Sequence, residues 1–147
     1  MGSASPTSGS STAAVEFRHL LDDVLVETDA DDHAGPMLRA AGLKVRFEFP
    51  DLPLVLNLAA SEEGAHHLAW KFSDDTDWKP KLKLQMDSKV ANAYLQGKES
   101  LAIAIARGRV RATGDTRSAL LYIPALRLLV SSYRKVVTQE HPHLALE

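Results

Sequence analysis

Alternation of apolar and polar residues in short segments constrains the fold of this chain more than any other feature. Along residues 43–49 apolar side chains occupy every second position, and the same spacing returns at 54–58, 68–72 and 82–86. Successive side chains of a β-strand point to opposite faces, so this period predicts four half-buried strands. Only short turns separate them, which favours antiparallel pairing, because a parallel crossover needs a dozen residues or more. Residues 109–113 alternate in the same way between two glycines and predict a fifth strand.

The residues before the first strand follow a helical period instead. Apolar side chains recur there at intervals of three and four: Phe17, Leu20, Leu21, Val24 and Leu25. A short helix is predicted over 35–42, with proline near its start and glycine beyond its end. Another is predicted over 88–96, where a glycine stops it. Residues 101–106 are ambiguous: their period of two leans to a strand, while their alternate alanines favour a helix.

The last predicted element is a helix over residues 118–138 that is apolar on more than one side. Its large apolar residues are Leu120, Leu121, Ile123, Leu126, Leu128, Leu129, Val130 and Tyr133. Such a helix needs cover over most of its surface, and a chain of 147 residues offers little. We therefore expect part of it to meet a ligand, a membrane or another subunit, unless it is the central core helix. Pro124 should kink this helix or start a second one.

Composition indicates one ordinary globular domain, since 45% of the residues are hydrophobic and 24% are charged. We expect residues 1–12 to be a disordered arm, 13–138 to be the domain and 139–147 to be a tail. The chain has no cysteine, which excludes disulfides and thiolate chemistry. No segment has the pattern of a secretion signal or of a bilayer span, so we expect a cytoplasmic location.

Charge is unevenly distributed along the chain, although the net charge is only −2. Residues 1–80 contain 6 basic and 14 acidic side chains, whereas residues 81–135 contain 11 basic and 3 acidic ones. The second region therefore suits an anionic partner such as a lipid headgroup or a phosphate. Aromatic residues make up 6% of the chain and do not interleave with the basic ones, so we expect no nucleic-acid partner.

The sequence contains no motif typical of catalysis or metal binding. The acidic run 74–77 lacks the glycine and the final glutamate of a calcium loop. No phosphate-binding loop, dinucleotide fingerprint or nucleophile elbow occurs. His66 and His67 would point to opposite faces of a strand, and His141 and His143 lie beyond the last helix. We therefore expect no catalytic residue, no metal site and no cofactor, and predict that the chain is not an enzyme.

One region resembles a known family. The predicted helix over 88–96 is followed by Gly97-Lys98, an apolar segment, and the run Gly-Arg-Val-Arg-Ala-Thr-Gly-Asp at 108–115. A long apolar helix comes after this run. The order resembles the sterol carrier protein 2 family, also called nonspecific lipid-transfer proteins, over about a fifth of the chain.

The resemblance implies an α+β fold in which helices cover one face of a five-stranded, largely antiparallel sheet. It also implies a short helix from Ser100 to Ala106 in place of the strand. An apolar tunnel between the layers would take sterols, fatty acids or acyl-CoA, and its lining would be Phe47, Leu56, Trp70, Leu84, Tyr94, Leu101, Ile103, Ile105, Leu120, Ile123, Leu126 and Val130. The arginines expected to hold an anionic headgroup or to contact a membrane are Arg107, Arg109, Arg111 and Arg117.

The sequence therefore predicts noncatalytic binding or carrying of an apolar lipid, with the burial of acyl or sterol surface as the driving force. Transient contact with a membrane is part of this prediction. The alternative is a protein interaction or homodimerisation module, in which the apolar C-terminal helix packs against a partner protein or a second copy of the chain.

Overall fold

The alternating segments form one sheet, and the segments with a helical period cover it. The computed structural model describes residues 5–62 and 64–147, with side chains from residue 12 onward. Its elements are α1 (Ser5–Ala30), α2 (Ala34–Ala40), β1 (Lys44–Phe49), β2 (Leu54–Ala60), β3 (Leu68–Phe72), β4 (Leu82–Met86), α3 (Ser88–Leu95), α4 (Leu101–Ala106), β5 (Val110–Gly114), α5 (Thr116–Leu126) and α6 (Val130–Glu140), with 3-10 turns at Arg127–Leu129 and Pro142–Leu144. All five predicted strands are confirmed.

The strands lie in the order β3-β2-β1-β4-β5. Three of the four neighbouring pairs are antiparallel, but β1 and β4 are parallel, with Phe47 opposite Leu84. The antiparallel pairing expected from short links is therefore wrong for this pair. The β2–β3 hairpin lies on one side of β1, and it gives the chain enough length to return on the other side in the parallel direction. The sheet is mixed and largely antiparallel.

One face of the sheet is packed, and the other is partly exposed. The inward side chains are Val45, Phe47, Phe49, Leu54, Leu56, Leu58, Leu82, Leu84, Met86 and Val110. The predicted apolar stripe of α1 packs into the same core, where the rings of Phe17 and Phe49 meet edge to face with their centroids 5.2 Å apart. Helix α1 also contacts α6. This packing confirms the α+β architecture with helices over one face of the sheet.

Residues 101–106 form helix α4, so the strand indicated by their period of two is wrong, and the short helix implied by the resemblance is confirmed. Local capping decides between them. Ser100 Oγ accepts a hydrogen bond from a backbone N–H in the first turn. Beyond the other end, Gly108 has φ +77°, a left-handed conformation that terminates helices. The buried residues of α4, Leu101 and Ala104, are one helical turn apart and face the core.

The predicted helix over 118–138 is divided into α5 and α6 by the 3-10 turn Arg127–Leu129. This turn begins three residues after Pro124, which lies inside α5 and removes a backbone donor there. The buried apolar residues of the segment recur at intervals of three or four, except that the last two are adjacent: Tyr122, Leu126, Leu129, Tyr133, Val136 and Val137. The core therefore covers one side of the segment. Leu120 and Leu121 lie outside the core and are 74% and 54% exposed.

The C-terminal tail is in contact with helix α3. Helix α1 begins at Ser5, within the predicted N-terminal arm, and residues 1–4 of that arm lie outside the described residues. In the C-terminal tail, the carbonyl of Leu144 accepts hydrogen bonds from Asn92 Nδ2 and Gln96 Nε2 at 3.0 and 2.9 Å. These bonds hold the tail against α3. None of the helices in the described part of the chain is long and apolar enough to cross a membrane.

Asp29, near the end of α1, joins this helix to the beginning of β3. Its Oδ1 accepts hydrogen bonds from the backbone N–H groups of His67 and Leu68 at 2.6 and 2.9 Å, and its Oδ2 lies 2.6 Å from Nδ1 of His66. Burial alone would raise the pKa of Asp29, but these hydrogen bonds lower it below its ordinary value. The ionised carboxylate therefore stabilises the fold.

We expect Asp29→Asn to lower the free energy of unfolding at pH 7 by about 1 to 3 kcal/mol, because a neutral amide replaces a charged acceptor. Since the pKa of Asp29 is lowered in the folded state, this difference is full above the ordinary pKa of aspartate. It shrinks as the pH falls through the folded pKa. Urea unfolding at pH 7 and at about pH 2 measures it, with Asp32→Asn at an exposed side chain as the control. A loss of equal size at both pH values would contradict this role.

Candidate functional site

A groove of about 860 Å³ separates the end of α3 and the start of α4 from the α5–α6 segment. Its lining residues are Tyr94, Gly97, Lys98, Glu99, Ser100, Leu101, Ala102, Ile123, Pro124, Arg127, Val130, Ser131 and Arg134. The volume lies within the range of about 300 to 1,000 Å³ that is typical of small-molecule sites. The groove is open to solvent along one side and is the best candidate for a binding site in the described part of the chain.

Helical spacing explains why one wall of the groove combines apolar and basic side chains. Arg127, Val130, Ser131 and Arg134 follow one another at intervals of three, one and three, which places them on the same side of the segment. This side lies away from the buried stripe that contains Leu126, Leu129 and Tyr133. The buried side of the segment therefore packs against the core, while the side with Arg127 and Arg134 faces the groove.

The charged residues of the groove are mostly basic. Lys98, Arg127 and Arg134 line it together with a single acidic residue, Glu99. The carboxylate of Glu99 is engaged by Arg109, whose Nε donates a hydrogen bond to it at 2.8 Å. Because Arg109 offsets the charge of Glu99, three cations set the electrostatic character of the groove. Such a site favours an anionic group.

Tyr94 lines this groove, and its hydroxyl oxygen is buried. The side chain is 3% exposed, and no group in the described part of the chain accepts or donates a hydrogen bond to its oxygen. Burial raises the pKa of Tyr94, and the positive charge of Arg127 opposes part of this rise. The hydroxyl is therefore protonated at neutral pH, and the charge of Arg127 influences its pKa.

The other two tyrosines of the chain are satisfied, which sets Tyr94 apart. The hydroxyl of Tyr122 donates to the carbonyl of Gly42 at 2.9 Å, and that of Tyr133 donates to Asn92 Oδ1 at 2.7 Å. Buried polar groups are nearly always hydrogen-bonded in folded proteins, so an orphan requires an explanation. A ligand atom that accepts a hydrogen bond from this hydroxyl would provide such an explanation.

The space between sheet and helices is much smaller than the predicted tunnel. An enclosed apolar cavity lies under Tyr94, and its lining includes Phe47, Leu56 and Leu129. Its volume is about 20 Å³, which is roughly the room of one water molecule. Neither a sterol nor an acyl chain fits in this cavity as it stands. Tyr94 lines both spaces and so forms the wall between the inner cavity and the outer groove.

The twelve residues predicted to line a tunnel are distributed over several environments. Four of them line the groove: Tyr94, Leu101, Ile123 and Val130. Phe47 and Leu56 line the small cavity, while Leu84 and Leu126 lie in the core. Trp70 is half-buried and donates from its indole nitrogen to Asp22 Oδ1 at 2.8 Å. Ile105 is half-buried against the core, and Ile103 and Leu120 face solvent.

None of the four predicted headgroup arginines lines the groove. Arg109 lies at the edge of the groove through its bond to Glu99, whereas Arg107, Arg111 and Arg117 are exposed and are not among the groove residues. Sequence reasoning missed the three groove cations. For Arg127 and Arg134 a signal was present, since they are seven residues apart and therefore nearly in line along a helix. The prediction for that helix used only its apolar residues, and therefore did not include the basic stripe.

A second open pocket, of about 560 Å³, lies on the opposite, partly exposed face of the sheet. Asn57 and Trp78 are among its lining residues. The amide of Asn57 is buried and donates to the carbonyls of Lys71 and Ser73 at 3.2 and 2.8 Å. These bonds tie β2 to the neighbouring strand and its exit, which gives this asparagine a structural role.

Comparison with known proteins identifies the fold of this chain but finds no match to its sequence. No protein-family model and no curated protein sequence matches the chain. Among solved structures, a conserved hypothetical protein from Thermus thermophilus, suggested to be a sterol carrier protein, superimposes with a TM-score of 0.61. The match covers 80% of this chain and 86% of that one at 13% identity. Sterol carrier protein 2 from Yarrowia lipolytica, in its apo form, matches over 78% and 87% at 9% identity, with a TM-score of 0.55. This chain has the sterol carrier protein 2 fold.

The sterol carrier protein 2 fold also occurs as part of a larger protein. A stereoselective inverting sec-alkylsulfatase from Pseudomonas matches 62% of this chain at 15% identity, with a TM-score of 0.51. The present chain spans only 14% of that enzyme. At such identities the comparisons establish the shared sterol carrier fold, and the function has to be argued from the groove.

We expect the unpartnered hydroxyl of Tyr94 to have a measurable effect on the free energy of unfolding. Tyr94→Phe should leave the free energy of unfolding unchanged or raise it by up to about 1 kcal/mol, because it removes a buried polar group without a partner. Tyr133→Phe is the matched control and should lower it by about 1 kcal/mol, because it breaks the bond to Asn92. Urea unfolding at neutral pH compares the two. An equal loss in both variants would mean that the Tyr94 hydroxyl has a partner in the free protein.

Proposed function

We propose that this chain binds an amphipathic lipid with an anionic headgroup, without catalysis, in the groove between α3–α4 and α5–α6. The observation that carries the proposal is the buried hydroxyl of Tyr94, which lacks a partner among the described residues and belongs to a residue that lines the groove together with Arg127. The sterol carrier protein 2 fold supports a lipid ligand.

The groove offers separate contacts for the two parts of such a ligand. Leu101, Ile123 and Val130 provide apolar surface for an acyl chain. Each Å² of apolar surface removed from water contributes roughly 25 cal/mol. A carboxylate in the groove would accept a hydrogen bond from the Tyr94 hydroxyl and pair with Arg127. Bonds of this kind, to an ionised acceptor, are about twice as strong as neutral ones. The contacts therefore favour a fatty acid over a sterol.

The groove residues argue for binding rather than catalysis. Its described lining contains no histidine, aspartate or cysteine that would activate a nucleophile or a water molecule. Ser100 caps α4, and Glu99 pairs with Arg109. We therefore propose a carrier or storage role, with the basic residues of the groove as the contact to an anionic membrane surface during exchange. A cytoplasmic location stays a prediction.

The second candidate is the homodimer, which the exposure of Leu120 and Leu121 favours. These two side chains are adjacent on α5, and both expose apolar surface to solvent. A second copy would cover them by a symmetric contact of α5 against α5. In that case the chain would sediment as a dimer, and Leu120→Asp would sediment as a monomer. A wild-type monomer at the same concentration would exclude the dimer.

Fatty-acid titration of delipidated protein tests the groove. We expect a fluorescent polyene fatty acid to bind with a dissociation constant in the micromolar range. Arg127→Ala should weaken binding about tenfold or more, because it removes the charge partner of the carboxylate. The methyl ester of the same fatty acid should bind the wild type and Arg127→Ala alike, since it carries no charge.

Lys89→Ala, at an exposed cation of α3 away from the groove lining, is the control for this titration. It should bind the acid as the wild type does. The proposal would be refuted if the wild type bound neither acid nor ester, or if Arg127→Ala left the affinity for the acid unchanged.

A further inference from the structure

Two histidines of the C-terminal tail and one carboxylate of α1 converge at a place outside the groove lining. Nδ1 of His141 lies 2.9 Å from Glu16 Oε2, and Nε2 of His143 lies 2.8 Å from the same oxygen. The three atoms lie within 4.8 Å of one another. The sequence alone places both histidines in a tail without partners, because a contact across 125 positions leaves no local pattern.

The backbone holds these donors in place before any ion binds. Pro142 stands between the two histidines and restricts the chain at the start of the 3-10 turn Pro142–Leu144. The N–H of Leu144 donates to the carbonyl of His141 at 2.8 Å. The carbonyl of Leu144 in turn accepts from the side-chain amides of α3 described above. Little backbone entropy therefore remains to be lost when the two imidazoles bind one ion.

The donor set and its dimensions suit a transition-metal ion. Two imidazoles and a carboxylate are a typical set of three protein ligands for Zn²⁺, with bonds of about 2.0 to 2.2 Å. Tetrahedral bonds of that length separate the ligand atoms by about 3.3 Å. The present distances from Glu16 to the histidines have to open by only about half an ångström. The His143 side chain is 60% exposed, so it is free to adjust and leaves a path for the ion.

We propose that Glu16, His141 and His143 form a binding site for Zn²⁺ that fastens the C-terminal tail to α1. The three side chains supply three ligands, and solvent supplies the fourth on the exposed side of His143. A neutral imidazole binds metal through the nitrogen that carries no proton. His141 therefore binds through Nδ1 with its proton on Nε2, and His143 binds through Nε2 with its proton on Nδ1. None of the three residues lines the groove, so this site stands independently of the proposed lipid function.

Calorimetric titration of the full chain, bearing no added histidine tag and treated with a chelator, tests the site with zinc chloride. We expect one Zn²⁺ per chain with a micromolar or lower dissociation constant, and no heat from magnesium chloride, because Mg²⁺ prefers oxygen ligands. His143→Ala and Glu16→Gln should each weaken zinc binding about tenfold or more. His33→Ala, at an exposed histidine outside the cluster, is the control and should bind as the wild type does.

Long-range ¹H–¹⁵N spectra of the imidazole rings provide a readout that does not depend on stability. On addition of Zn²⁺ the largest shifts should appear at Nδ1 of His141 and Nε2 of His143. Three results would overturn the proposal: no zinc binding below about 1 mM, binding that survives both variants at full strength, or shifts confined to the other histidines. If zinc binds as proposed while the fatty acid does not, only the lipid proposal fails, and the reverse result removes only the metal site.

Discussion

The packed face of the sheet, centred on β1, determines where every other functional element lies. Phe47 stands opposite Leu56 on one neighbouring strand and opposite Leu84 on the other, so a single row of apolar side chains crosses three strands. Helix α1 covers this row through its apolar stripe, with the contact between Phe17 and Phe49 at one end. Burial of this face is favoured by the hydrophobic effect, so the helices pack against this side of the sheet.

The same core gives the groove its chemistry. Leu126 and Tyr133 anchor the C-terminal helical segment from the side of the sheet, and this orientation turns Arg127 and Arg134 toward α3 and α4. Tyr94 lies where the core and the groove meet, and its hydroxyl is buried without a partner among the described residues. Tight packing under Tyr94 leaves only a small cavity in the interior, so the larger open space lies in the groove outside it. The fold thus separates a stable interior from a basic, partly apolar exterior site.

Sequence patterns predicted the fold in the places where burial imposes a strict period. The alternation in residues 43–49 and the stripe that begins at Phe17 both appear in the structure as predicted. The same alternation failed in residues 101–106, where alternate alanines carry no demand for burial and the cap at Ser100 favours a helix. The parallel pairing of β1 with β4 was also missed, since pairing direction depends on the placement of the intervening hairpin rather than on local pattern.

The candidate site was less predictable than the fold. Apolar residues such as Leu84 and Ile123 have the same composition whether they fill a core or line a groove, so only the packing separates them. The convergence of Glu16 with His141 depends on how α1 and the tail meet, which no short segment records. The resemblance placed Tyr94 in the predicted lining, but no sequence pattern shows that its hydroxyl lacks a hydrogen-bond partner in the described fold.

Binding of a spin-labelled fatty acid, followed by NMR, tests the location of the site most directly. With the nitroxide near the carboxylate, we predict selective broadening of backbone signals around the groove, at Ser100 and Ser131, that disappears when unlabelled fatty acid is added in excess. Signals at Trp78, in the pocket on the opposite face of the sheet, should stay sharp. Broadening centred on Trp78, or on the exposed Leu120 and Leu121 of α5, would contradict the groove as the lipid site.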